Sequence, residues 1–132
     1  MSTASLDTSV IVRILTGDNP TLCKKILKLF SQDLAFVISD LAISETIYVL
    51  ETVYRKSREE IGDLLLFFFT RYDDIFQYNR DLTASALPFY LSHPKLSFND
   101  CALASLSELN HAEPLFTLDK KLATQHASAK LV

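Results

Sequence analysis

Four carboxylates in this chain could do chemistry together: Asp7, Glu45, Asp100 and Asp119. Asp7 follows a short apolar run at residues 4–6, and Asp119 lies just beyond another at 115–117. Glu45 falls in the second turn of the helix expected after a third run, 35–38, and Asp100 in the first turn of a later helix. In a parallel α/β sheet, ligands bind beyond the carboxyl ends of the strands. If these elements are neighbours, four acids from distant parts of the sequence meet at one edge. Unrelieved, such crowding raises the pKa of at least one of them. A hard divalent cation removes the repulsion. Mg²⁺ takes oxygen ligands, keeps several waters and is shared with substrate phosphates. It can polarise a phosphoryl oxygen, activate a water and stabilise a leaving oxygen. The chemistry to which the pattern points is phosphoryl transfer at a metal site.

Each acid also has a plain structural use. Asp7 and Asp119 are well placed as N-caps of the helices that follow them. Ser97 and Asp100 fit the S-x-x-D/E capping box. Glu45 is harder to account for this way. Ile43, Ile47, Leu50 and Tyr54 make one apolar face of its helix, while Leu41, Tyr48 and Val49 flank Glu45 itself. A helix apolar nearly all round should be largely buried. A buried glutamate there is costly unless it binds metal or pairs with an Arg or Lys.

The elements that must position these residues are legible from periodicity and punctuation. Strands are expected at 4–6, 35–38, 74–77, 115–117 and 130–132. Helices should run from about 8 to Gly17, from Pro20 through the stripe Leu22, Ile26, Leu29 and Phe30, from Ser39 or Asp40 to about Lys56, and from Ser57 to about Arg71. Further helices are expected at 82–91, with Pro88 placed awkwardly inside, at 99–110, and briefly after Asp119. Short apolar strands alternating with helices imply a parallel sheet covered on both faces.

Composition bounds the alternatives. At 132 residues, 48% hydrophobic and 22% charged, the chain is expected to be one globular domain, 1–132. Its two glycines, Gly17 and Gly62, leave no glycine-rich phosphate loop. Cys23 and Cys101 lack metal-ligand spacing and read as buried thiols of a reducing compartment. The opening residues are too short and polar for a secretory signal, and the apolar run 64–69 is far below the roughly 18–20 residues of a membrane span. A cytoplasmic protein without membrane attachment is therefore expected. The net charge of −3 is unusual for a nucleic-acid binder, although bound cations would neutralise some of the acids counted.

Four segments together carry a family resemblance: L-D-T-S-V-I-V at 6–12, I-S-E-T-I-Y-V-L at 43–50, L-S-F-N-D-C-A-L-A at 96–104 and L-F-T-L-D-K-K-L-A at 115–123. In this order and at these separations the sequence resembles PIN-domain ribonucleases, and among them the VapC-type toxins of toxin–antitoxin systems, over almost its whole length. Leu118 stands where Phe is common in that family, and Asn99 precedes the third acid. The resemblance implies a PIN-like three-layer α/β/α sandwich with a short parallel sheet of four or five strands. It also implies a Mg²⁺ or Mn²⁺ centre, endonucleolytic cleavage of single-stranded or structured RNA, homodimerisation and inhibition by a cognate antitoxin protein. Asp7, Glu45, Asp100 and Asp119 match the family's four catalytic and metal-binding acids. Asp7 and Asp100 would bind the central ion. Asp119 and Glu45 would bind it directly, bind through water, or hold a second ion. Ser9 and Thr117 match accessory hydroxyls that orient waters or the phosphate. RNA as the substrate comes from the resemblance alone. The rival readings are a catalytically silent PIN-like binding module, a metal-dependent DNA nuclease and another phosphoryl-transfer enzyme such as a phosphatase.

Arg13, Lys24, Lys25, Lys28, Lys120 and Lys121 are the candidate RNA contacts, since a groove tracking the backbone needs positive charge. A solvated helix face explains the lysines at 24–28 equally well. His93, His111 and His126 lie in turns or the tail and have no partner at ligand spacing. In L-L-L-F-F-F, residues 64–69, the face of Ile61, Leu64, Leu65 and Phe68 suffices to dock the helix. Leu66 and Phe67 point away from it. They are read as a partner surface, for a second copy or an antitoxin helix, unless another helix of the chain covers them.

Overall fold

A computed structural model describes residues 2–132. The chain forms two compact units, Met1–Tyr78 and Asn79–Val132. The first contains β1 (Ser2–Ser5), α1 (Thr8–Thr16), α2 (Pro20–Phe30), β2 (Leu34–Val37), α3 (Asp40–Thr52), α4 (Arg58–Arg71) and β3 (Phe76–Gln77). Every helix start in this unit carries the cap its sequence encodes. Asp7, Asn19, Ser39 and Ser57 each accept a backbone N–H of the first turn, Pro20 opens α2, and Ser57 forms a capping box with Glu60. Gly17, at φ 63°, closes α1 in the left-handed region that only glycine enters freely.

The three strands pair in parallel in the order β1-β2-β3, with Ser2 opposite Leu34 and Phe36 opposite Phe76. The central strand carries the buried Ala35 and Phe36. Phe30, Phe36, Phe68, Tyr72 and Phe76 form one aromatic cluster, with ring centroids 4.8 Å (Phe68–Phe76) to 6.5 Å (Phe36–Phe76) apart. Tilted and edge-on contacts of this kind add to the burial that anchors α2 and α4 on the sheet.

The second unit contains α5 (Arg80–Ser92), α6 (Phe98–Leu109), β4 (Leu115–Thr117), α7 (Lys120–Gln125) and β5 (Ala129–Leu131). Leu82, Ala86 and Tyr90 are the buried residues of α5, at i, i+4 and i+8. This stripe packs on α6, where Tyr90 meets Phe98 edge-on at 5.7 Å and the Ser85 and Ser105 hydroxyls bond at 3.1 Å. Pro88 is accommodated inside α5 on its exposed side. β4 and β5 pair in parallel, with Leu115 opposite Ala129.

The element order and parallel pairing are those expected of the α/β class. Among the described residues, the five strands are hydrogen-bonded as three and two rather than as one ladder. α3 stops at Thr52 rather than near Lys56, because Arg55 turns to φ 52° and the Lys56 N–H caps the Leu50 carbonyl at 3.0 Å. β3 is two residues long because the Tyr72 carbonyl takes both the Ile75 and Phe76 N–H groups, so that Asp74 belongs to a turn. Leu66 and Phe67 are 66% and 69% exposed, so no described helix of the first unit covers them. No helix among the described residues is long and apolar enough to cross a membrane.

Candidate active site

The first unit holds Asp7 and Glu45. The Leu6 N–H donates to the Val37 carbonyl at 3.1 Å, carrying the ladder one residue past β1, and the chain leaves the sheet at Asp7. Asp7 is extended (φ −80°, ψ 153°) and caps α1. Its Oδ2 accepts the Ser9 N–H at 3.4 Å and the Ser9 hydroxyl at 2.5 Å. The adjacent Thr8 hydroxyl donates to Glu45 Oε2 at 2.7 Å, joining positions 37 apart where α1 packs on α3. Consecutive hydroxyls, Thr8 and Ser9, thus hold one acid each.

The Ser9 hydroxyl, and after it the Ser9 amide, keep the Asp7 carboxyl below the usual carboxylate range. Hydrogen bonds to the charged form outweigh the desolvation of this exposed group.

Glu45 departs from the sequence expectation. It is exposed, not buried in an all-apolar helix. α3 buries Ala42, Ile43, Thr46, Ile47 and Leu50, and at about 100° per residue this face lies opposite Leu41, Glu45 and Tyr48. The outer apolar residues therefore do not mark a second buried side. Among the described residues neither Asp7 nor Glu45 is ion-paired with a Lys or Arg.

The second unit holds Asp100 and Asp119, and both do cap helices. Asp100 Oδ2 accepts the Ser97 N–H at 3.4 Å, while its own N–H donates to the Ser97 hydroxyl at 3.1 Å. Asp119 follows β4 by two residues, as Asp7 follows β1. Its Oδ1 accepts the N–H groups of Lys121 at 2.8 Å and Leu122 at 3.3 Å. Thr117 Oγ1 accepts the Asp119 N–H at 3.0 Å, so Thr117, like Ser9, bonds directly to its neighbouring acid.

A capping bond on one oxygen leaves the other oxygen of the same carboxylate available. In all four acids the hydrogen bonds fall on one carboxylate oxygen, and the other oxygen is uncommitted among the described residues. The donors offered are all hard oxygens, which suits Mg²⁺ or Mn²⁺ rather than a thiophilic metal. Among the described residues of either unit, no three His, Cys, Asp or Glu side chains are grouped to hold an ion. Each unit supplies two of the four carboxylates, and Mg²⁺ keeps several waters beside its protein ligands.

The basic candidates divide. Lys24, Lys25, Lys28, Lys120 and Lys121 are exposed. Arg13 instead pairs with Asp18 at 2.8 Å, and Asp18 also accepts the Tyr54 hydroxyl at 2.8 Å. Tyr54 and Arg13 together hold Asp18 below its usual range. Thr8 was not among the expected site residues. Its signal is its position, directly after a capping acid at the first turn of α1. His126 is buried, with Nδ1 accepting the Ser128 N–H at 3.1 Å, and the Ser128 hydroxyl donates to Glu108. Its role is thus to shape the start of β5.

The PIN domain family model matches residues 4–126. No curated protein matches the sequence. A similar solved structure is the crystal structure of VapBC2 from Rickettsia felis bound to a DNA fragment from their promoter. The match has 18% identity, covers 98% of this chain and 97% of that one, and has a TM-score of 0.42. The assignment rests on the family model, which takes in all four acids and both units: the chain belongs to the PIN-domain family, a family of nucleases.

Proposed function

We propose that the chain is a metal-dependent endoribonuclease, a VapC-type toxin of a type II toxin–antitoxin system acting in the cytoplasm as one module over residues 1–132. The observation that carries the catalytic reading is the state of the four acids. Each has one oxygen fixed by a hydroxyl or backbone donor and one uncommitted. Asp7, Glu45, Asp100 and Asp119 are the metal-binding and catalytic residues on this reading. Bound Mg²⁺ or Mn²⁺ supplies a polarised phosphoryl oxygen and a water of lowered pKa. Ser9 keeps Asp7 ionised and oriented, Thr8 orients Glu45, and Thr117 fixes the turn that presents Asp119. No side chain acts as nucleophile; water attacks the phosphodiester. The exposed Lys24, Lys25, Lys28 and Lys120 attract the phosphate backbone. Arg13, held by Asp18, serves the fold first. Leu66 and Phe67 offer a surface to a second copy or to the antitoxin.

The deciding comparison offers the protein single-stranded RNA, single-stranded DNA of the same sequence and a phosphate monoester, each with Mn²⁺ and after chelation. RNA alone should be cut, and chelation should stop it. Preferential cutting of DNA would make the chain a DNA nuclease, and preferential monoester hydrolysis a phosphatase. No cleavage with no Mn²⁺ binding would leave a silent binding module.

A further inference from the structure

We infer, resting on the metal-dependent reading above, that Thr8 is a positioning residue that makes the site prefer a small divalent cation to Ca²⁺, by keeping Glu45 a ligand of one oxygen. The Thr8 hydroxyl donates to Glu45 Oε2 at 2.7 Å and leaves Oε1 uncommitted among the described residues.

The two kinds of ion ask different things of a carboxylate. Mg²⁺ holds a tight octahedral shell at about 2.0–2.1 Å, keeps several waters and takes few protein oxygens. Mn²⁺ accepts the same octahedral oxygen set. Ca²⁺ gathers roughly six to eight oxygens at about 2.3–2.6 Å, and a carboxylate giving both of its oxygens helps to fill that larger shell. An acid with one oxygen tied by a hydrogen bond serves the small ion well and Ca²⁺ poorly.

The two acids of the first unit are tied unequally. Asp7 Oδ2 is held twice by Ser9, through the hydroxyl and the backbone N–H. Glu45 is a long, exposed side chain midway along α3, and the Thr8 hydroxyl is its one tie among the described residues. Released from it, Glu45 regains its rotamers and can turn both oxygens to an ion. Thr8 also reaches the other acid: after the Ser9 bonds, its backbone N–H helps to keep the Asp7 carboxyl below the usual range.

The tie has little structural use. α1 packs on α3, and these helices bury Ile11 and Val12, and Ile43 and Ile47. A hydrogen bond between solvent-facing groups replaces bonds to water at small net gain. The cap of α1 is Asp7, not Thr8.

Calorimetric titrations with Mn²⁺ and with Ca²⁺ compare the parent with Thr8→Ser, Thr8→Val and Thr8→Ala, each checked by a thermal melt. The parent and Thr8→Ser, which keeps the hydroxyl, should bind Mn²⁺ at least roughly tenfold more tightly than Ca²⁺. Thr8→Val should melt like the parent, bind Mn²⁺ roughly tenfold more weakly and lose most of the preference. Thr8→Ala, which avoids any disturbance of the first turn by a second methyl, should do the same. An unchanged ratio of the two affinities in Thr8→Val and Thr8→Ala would overturn the assignment, even if both affinities fell together. So would loss of the preference in Thr8→Ser, or a parent that binds the two ions equally. A parent that binds neither ion would refute the metal-dependent reading itself, and the role of Thr8 with it.

Discussion

Asp100→Asn protein should fold, with stability within about 1 kcal/mol of the parent, and lose RNA cleavage by roughly a hundredfold or more. The two halves of this expectation come from the two oxygens of one carboxylate. Oδ2 belongs to the capping box with Ser97, and an asparagine carbonyl can take its place, because Asn caps helices about as well as Asp. The other oxygen has no partner among the described residues, and it is the charge there that a cation needs. Substitution by Asn therefore separates the structural use from the chemical one. The checks are a urea melt and a cleavage assay in Mn²⁺ on the same preparation. Retained cleavage would reduce Asp100 to a helix cap.

Phe67→Glu should give a folded protein whose association with its partner is weakened by roughly thirtyfold or more. α4 is held by Ile61, Leu65, Phe68 and Phe69, all buried, so the exposed Phe67 contributes little to folding. Phe67 stands between two surface hollows. One is shared with Leu66, Thr70 and Arg71, the other with Lys56, Glu60 and Leu64, and Asp63 borders both. An aromatic ridge between hollows is the geometry of an anchor that partner side chains clasp from both sides. A carboxylate in its place would be desolvated without compensation. Light scattering reports the effect on a second copy, and titration with the antitoxin reports the effect on that partner. Mn²⁺ binding should be unchanged. An insoluble variant would assign Phe67 to the core, and unaltered assembly in both assays would remove α4 from the interface.

Much of the site was legible because its determinants are local. A capping residue announces itself by type and by the apolar rhythm that follows, which is why Asp7, Ser39, Ser57, Ser97 and Asp119 all stand where expected. Periodicity could not say whether the outer residues of α3 are covered. Leu41 and Tyr48 count toward the hydrophobic pattern as Ile43 and Ile47 do, yet the first pair faces water and the second the core. Burial is a tertiary property, and a helix with apolar residues on both sides is compatible with either outcome. Long-range side-chain ties were invisible for the same reason. Nothing in spacing joins Thr8 to Glu45, or Arg13 through Asp18 to Tyr54. The end of α3 at Thr52 depends on Arg55 entering the left-handed region, where a sequence reading looks for glycine or asparagine.

The central proposal is that these acids serve a divalent cation besides their structural hydrogen bonds, and calorimetric titration of Mn²⁺ tests that most directly. The parent protein should bind Mn²⁺ saturably. Asp7→Asn, which keeps the cap of α1 but removes the charge, should bind it at least roughly tenfold more weakly with an unchanged fold. Absence of Mn²⁺ binding by the parent, or equal binding by Asp7→Asn, would contradict the account.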